Sequence, residues 1–288
     1  MKRTLITLSF LLIIQTFLFA QEKDLVKIAD SIKNEGTMLF KSEWASWYGT
    51  DIFLDKCKDK KSLIAGYISY DTGKGLKNIF FSKDADPVVL ATTSFGYDFN
   101  PQNFTLDTLN RKLTTYENEL YTIRKAALER LGTDTTFKRY INTGTNPVPI
   151  ISKGIKRVYI LTSPQATGIV MFGNDYLIDF NKDNTISSVK KQHKGLITVN
   201  AKTVSADNPT PPEAAIHSHL PGYSDFMTAT DVCTAMLYQK LTTWKQVIVV
   251  SKNYVSLWDY SKNDLLILTM EAWKRIGASM DKPKSLKN

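Results

Sequence analysis

A chain of 288 residues has room for one large domain or two ordinary ones, and 43% hydrophobic residues with 11% aromatics suffice for packed, sheet-rich cores. The formal net charge is +9, yet the basic residues are scattered. Their densest group, Lys56, Lys58, Lys60 and Lys61, is interrupted by Asp55 and Asp59 and reads as a solvated face. A basic protein outside the cytoplasm could touch anionic envelope polymers, but no basic stripe interleaved with aromatics argues for nucleic acid.

The first residues read as an address. Met1-Lys2-Arg3 is basic, residues 5–19 are apolar apart from Thr7, Ser9, Gln15 and Thr16, and Ala20-Gln21 offers a cleavage point before polar Glu22-Lys23-Asp24. This is the pattern of a secretory signal peptide over residues 1–20, with Leu18 departing from the small-residue rule at minus three, and it implies a secreted or periplasmic protein. The run is short for a membrane span, and no other segment is long and apolar enough to be one. Export permits a disulfide between the only two cysteines, Cys57 and Cys233; two buried free thiols are the alternative.

Residues 23–40 carry Leu25, Ile28, Ala29 and Ile32 at helical spacing. The cluster Trp44, Trp47 and Tyr48 reads as core packing, with a carbohydrate-stacking surface as the other possibility. Residues 63–70 and 77–81 predict a hairpin around Asp71-Thr72-Gly73-Lys74-Gly75, and residues 88–93 a further strand. Residues 105–131 predict a long helix, capped by Thr105 and ended by Gly132. Thr143-Gly144-Thr145-Asn146-Pro147-Val148-Pro149 reads as a linker or loop, dividing the chain into a leader (1–20), an N-terminal α+β region (21–145) and a second domain (146–288). In that domain strands are expected at 157–162, 168–173, 176–180, 186–189 and 196–199, helices at 231–241 and 265–276, and a strand pair at 246–251 and 254–260. Asp179, Asn181 and Asp183 imitate a calcium loop, but the Gly and the terminal Glu are missing, so this is a turn.

Two of the three histidines stand one residue apart in Ile216-His217-Ser218-His219, after the apolar Ala214-Ala215. On a strand, both rings point to one face. Asp231 falls in the first turn of the helix that follows the Pro221-Gly222 break. Two imidazoles and a carboxylate converging on one point form a divalent-metal set, most naturally zinc with a fourth position open to water. A histidine pair on a solvated strand end and an Asp favoured by the helix dipole are the ordinary alternatives. H-E-x-x-H and C-x-x-C are both absent, which excludes a zincin helix, a zinc ribbon and a nucleotide-deaminase site.

Taken together, residues 156–252 resemble the JAB/MPN/JAMM metalloprotease domain, in which a Glu and a Gly-rich strand precede H-x-H and then S-x-x-D at a helix start. The resemblance implies an α+β fold with a cytidine-deaminase-like, JAMM-like sheet flanked by helices. It implies His217, His219 and Asp231 as zinc ligands, Thr228 in place of the Ser that steadies an oxyanion, and a peptide or protein substrate. The gap from His219 to Asp231 is one residue longer than the family's, and Leu220 stands where Pro is common. In Gln165-Ala166-Thr167-Gly168-Ile169-Val170-Met171-Phe172-Gly173 a Gln replaces the Glu that acts as general base. A Gln amide can orient water but cannot take its proton. His193 and, less strongly, Asp175 are the other candidates for that role, although His193 lies in the Lys-rich run 190–194 and reads first as a surface residue. Two functions follow: an exported zinc-dependent amide-bond hydrolase, or an inactive module of the same fold that binds a peptide or envelope glycan.

Overall fold

The computed structural model describes residues 2–201 and 210–280, with side chains over 24–201 and 210–279; the expected leader over residues 1–20 lies outside the described side chains. The fold is mixed α+β. Its elements, in chain order, are α1 (Lys2–Lys56), β1 (Ile64–Asp71), β2 (Leu76–Ser82), β3 (Val88–Phe95), β4 (Phe104–Asp107), β5 (Arg111–Lys112), α2 (Thr115–Thr133), β6 (Thr143–Ser152), β7 (Ile155–Pro164), β8 (Ile169–Gly173), β9 (Tyr176–Phe180), β10 (Ile186–Lys191), β11 (Leu196–Asn200), β12 (Ala214–Ser218), α3 (Ala229–Tyr238), β13 (Gln246–Val250), β14 (Tyr254–Asp259), β15 (Asp264–Thr269) and α4 (Met270–Met280). Among the described residues no helix is long and apolar enough to cross a membrane.

Four sheets are arranged along α1. Strands β1 to β4 form an antiparallel meander, with β5 also pairing β3. A second sheet has the order β10-β9-β7-β6, a two-stranded ribbon joins β8 to β11, and the last sheet has the order β12-β13-β14-β15, parallel between β12 and β13 and antiparallel beyond. Helix α1 links these layers through successive turns. Ala29 packs with Val170, Val232 and Trp258; Leu39, Phe40 and Trp44 pack with Phe95, Tyr159 and Cys233; Phe53 and Cys57 pack with Phe80 and Ala91. Where α1 crosses α3, a Cβ on Gly36 would lie 2.6 Å from Val232, so only glycine allows the two helices to approach this closely.

Several expectations need correction. The segment 143–149 is no linker: it opens β6, which pairs with β7 along its whole length, Pro147 opposite Ile160 and Pro149 opposite Val158. The prolines are tolerated because β6 is an edge strand and their missing N–H groups leave no interior ladder bond broken. A boundary at 145/146 therefore cuts a strand, and the cores packed around α1 join residues from both sides of it. The long helix expected from 105 begins at Thr115; Phe104–Asp107 pairs with β3, and Leu109 is 77% exposed. The first half of the expected closing helix is β15, whose Leu265 and Ile267 are buried while Leu266 is exposed, the period of a strand. Trp44 is buried against Tyr48, Phe95 and Phe99, and Trp47 meets Tyr238 edge-on, as the packing reading expects. Cys57 and Cys233 are both buried free thiols in separate cores.

Candidate metal centre

Strand β12 alternates as a half-buried strand should: Ala215 and His217 face inward, Ile216 and Ser218 outward. His219 lies one residue past the strand, but its backbone N–H donates to Val250 O at 2.9 Å and prolongs the pairing with β13. The two imidazoles therefore stay on one face, with ring centroids 5.3 Å apart. His219 Nδ1 lies 3.1 Å from the carbonyl of Ser224; a ring N–H donated there leaves Nε2 as the lone-pair nitrogen. His217 packs its ring against Phe172 of β8.

Asp231 is delivered by a capping box. Thr228 caps α3, accepting from the Asp231 N–H, and the Asp231 side chain reaches back to the cap. Its Oδ2 accepts from the Thr228 N–H at 2.8 Å and from the Thr228 hydroxyl at 2.7 Å. That fixes the carboxylate with Oδ1 free, aimed at the histidines. Thr228, expected to steady an oxyanion, has its hydroxyl engaged with this carboxylate and with Thr230.

The third imidazole is His193, which the structure places in the core rather than on the surface. The loop between β10 and β11 folds over the turn after β8, held by Asn174 N–H to Gly195 O at 2.9 Å and Gln192 N–H to Asp175 O at 3.0 Å. Gly173 takes φ 77° there, and a Cβ on it would stand 2.3 Å from the Gly195 oxygen, so the loop could not close over any other residue. His193 Nδ1 is 2.6 Å from Asp175 Oδ1, and the other Asp175 oxygen accepts from the Thr230 hydroxyl.

One ligand atom each from His193, His217, His219 and Asp231 lies within 4.8 Å of the other three. All four residues are between 1% and 6% exposed. Asp231 Oδ1 is 3.2 Å from His193 Nε2 and 3.3 Å from His217 Nε2, and Oδ2 is 3.4 Å from His219 Nε2. A tetrahedral ion with bonds of about 2.0–2.1 Å sets its ligand atoms about 3.3–3.4 Å apart. Close as they are, His193 Nε2, both nitrogens of His217, His219 Nε2 and Asp231 Oδ1 make no aligned hydrogen bond. Buried polar atoms are normally paired, and four orphans that converge, the Nε2 atoms of His193, His217 and His219 with Asp231 Oδ1, are the mark of a position for a cation. The cluster can hold a metal ion. Without an ion the same groups stabilise one another as ion pairs. Burial disfavours the charged form of His193, but Asp231 and Asp175 outweigh it and push the imidazole up to about 11. Burial likewise works against the Asp231 carboxylate, yet His193 and His217 hold it well below the usual carboxylate range.

Comparison with protein-family models, curated proteins and solved structures finds no match to this chain.

A cavity of about 390 Å³ opens beside the cluster, with His193 and His219 on its inner wall and Leu196, Ile197, Leu220 and Tyr223 around it. Gln165 does not line it. It is exposed in the turn between β7 and β8, at the opposite end of β8 from Asp175, and its backbone N–H bonds to Asn142 O. The structure thus brings together His217, His219, Asp231 and Thr228, adds His193 and Asp175 to them, and leaves Gln165 outside. The loop that carries His193 is rich in lysines, and its burial follows from the Gly173 turn beneath it, a long-range fit that residue type alone does not signal.

Proposed function

We propose that this chain is an exported zinc protein that hydrolyses amide bonds of peptides or proteins at the cavity beside His193 and His219. The observation that carries the reading is a set of four unpartnered buried atoms, one on each of three imidazoles and one on a carboxylate, from residues whose ligand atoms lie within 4.8 Å of one another. Three nitrogens and one oxygen suit zinc, whereas calcium and magnesium seek oxygen ligands. Zinc in such a site lowers the pKa of a coordinated water to about 7 and polarises a carbonyl. The chain's own part is to hold the ion through His217, His219 and Asp231, to fix Asp231 through the Thr228 cap, and to offer Leu196, Ile197, Leu220 and Tyr223 to the apolar side of an extended peptide. The resemblance of H-x-H and the capped Asp to the JAMM pattern supports an amide substrate, and the apolar run at residues 5–19 supports export.

Elemental analysis of purified full-length protein tests the first step: one zinc per chain is expected, with loss in His217→Ala. Cleavage of a peptide library, abolished by Asp231→Ala, is the expected second result. A specific observation favours a second reading, a catalytically silent module that binds a peptide or envelope glycan: Gln165 is outside the cluster, and Asp175 is committed to His193. Full zinc occupancy with no turnover on the library would leave that reading alone.

A further inference from the structure

Beside the H-x-H and Asp231 set stands one pair of buried titratable groups that the hydrolytic reading does not use, Asp175 and His193. Two roles are open to a histidine beside a metal. As a general base it would stand back from the ion, with a solvent molecule between. As a ligand it would stand as close to the neighbouring ligand atoms as they stand to one another. The distances decide. His193 Nε2 lies 3.2 Å from Asp231 Oδ1, as near as His217 Nε2 at 3.3 Å, and like it has no hydrogen-bond partner. The ring is 4.4 Å from that of His219, centroid to centroid, and 5.9 Å from that of His217, and His193 and His219 both line the cavity.

We infer that His193 is the fourth protein ligand, closing the position that a catalytic zinc would keep for solvent, with Asp175 as the residue that positions it. The inference rests on the zinc reading of the site and adds to it a resting state saturated by protein. Asp175 accepts a hydrogen bond from the Nδ1–H and so leaves the Nε2 lone pair for the ion, the carboxylate–histidine arrangement that orients metal ligands. Asp175 is itself held by the Thr230 hydroxyl, one residue before Asp231, so the positioning carboxylate and the ligand carboxylate are tied to the same helix turn. Hydrolysis at such an ion would need His193 to give up its place to water, because three protein ligands with an open place mark sites of catalysis and four mark sites that hold a fold together.

Cobalt(II) in the full chain, titrated with azide, tests this. Cobalt takes the same ligands and its visible spectrum reports a change of coordination, while azide enters only an open position. The wild-type cobalt protein should show no spectral change with azide; His193→Ala should bind cobalt more weakly and become azide-sensitive. Asp175→Asn should lower cobalt affinity by about 10–100-fold and show partial sensitivity, which a merely structural Asp would not produce. Azide sensitivity in the wild type equal to that of His193→Ala overturns the inference, makes His193 the base and leaves the metal reading intact. Failure of the wild type to bind cobalt or zinc at all overturns both. Because the wild-type titration decides alone, a variant that does not fold leaves the test standing.

Discussion

Helices α2 and α3 begin the same way. Each has a Thr cap and an acid three residues on: Thr114 with Glu117, Thr228 with Asp231, both in complete capping boxes and both acids buried. Their surroundings separate them. Both oxygens of Glu117 are satisfied: Arg111 grips them with two bonds of 2.7 Å, Tyr70 donates to one at 2.7 Å and the Thr114 N–H to the other at 2.8 Å. Asp231 spends one oxygen on its cap and turns the other, unpartnered, to the imidazoles of His193 and His217. A capping box by itself is therefore a structural device. What makes one of the two a candidate ligand is whether the opposing element brings an arginine, which completes the charge, or imidazoles, which can ligate a cation.

Exchanging the roles of the two acids breaks this comparison most sharply at Asp231. Asp231→Asn should weaken zinc binding by more than the about 10–100-fold that losing an outer partner costs, and should abolish the rise in melting temperature that zinc gives the wild type, worth about 2.7 kcal/mol at a hundredfold excess over Kd. Calorimetry with and without zinc reads both effects, and an unchanged zinc response would remove Asp231 from the ligand set. Glu117→Gln should do the reverse: stability falls by about 3 kcal/mol, as when a buried pair is broken, while zinc binding is unaffected.

That second loss should also depend on pH. Burial opposes the Glu117 carboxylate, but Arg111, the cap and Tyr70 bring its pKa from 4.5 down to about 2. A group lowered in the folded state contributes fully above its unfolded value and loses that contribution as pH falls towards the folded one. Urea unfolding should therefore show a constant gap between wild type and Glu117→Gln above pH about 5, shrinking towards pH about 2. A gap that widens on acidification would reverse the sign assigned to the interaction. The smallest effects belong to the caps. Thr114→Ala and Thr228→Ala should each cost about 1 kcal/mol, but only Thr228→Ala should also weaken zinc binding, by about tenfold, because only there does the cap aim a ligand. Equal zinc affinity in the two variants would detach the cap from the site.

Much of this was legible in local pattern. The alternation around His217, the hairpin at Asp71-Thr72-Gly73 and the separation of Thr228 from Asp231 each depend on neighbours within a few residues, and the structure places all of them as their periods demand. Segments whose partner is distant were not legible. Leu106 stands at helical spacing from Leu109 and Leu113, yet residues 104–107 are claimed by the edge of β3, and the two prolines of β6 looked like a linker because only the sheet order shows that their strand lies at an edge. The same division runs through the site. By itself the sequence determined that two histidines share a face and that an acid opens the next helix, since strand and helix periods impose this locally. Only the tertiary structure decided that His193 and Asp175 join them and Gln165 does not, because that depends on a loop closing over Gly173, a contact between segments about twenty residues apart for which no local period exists.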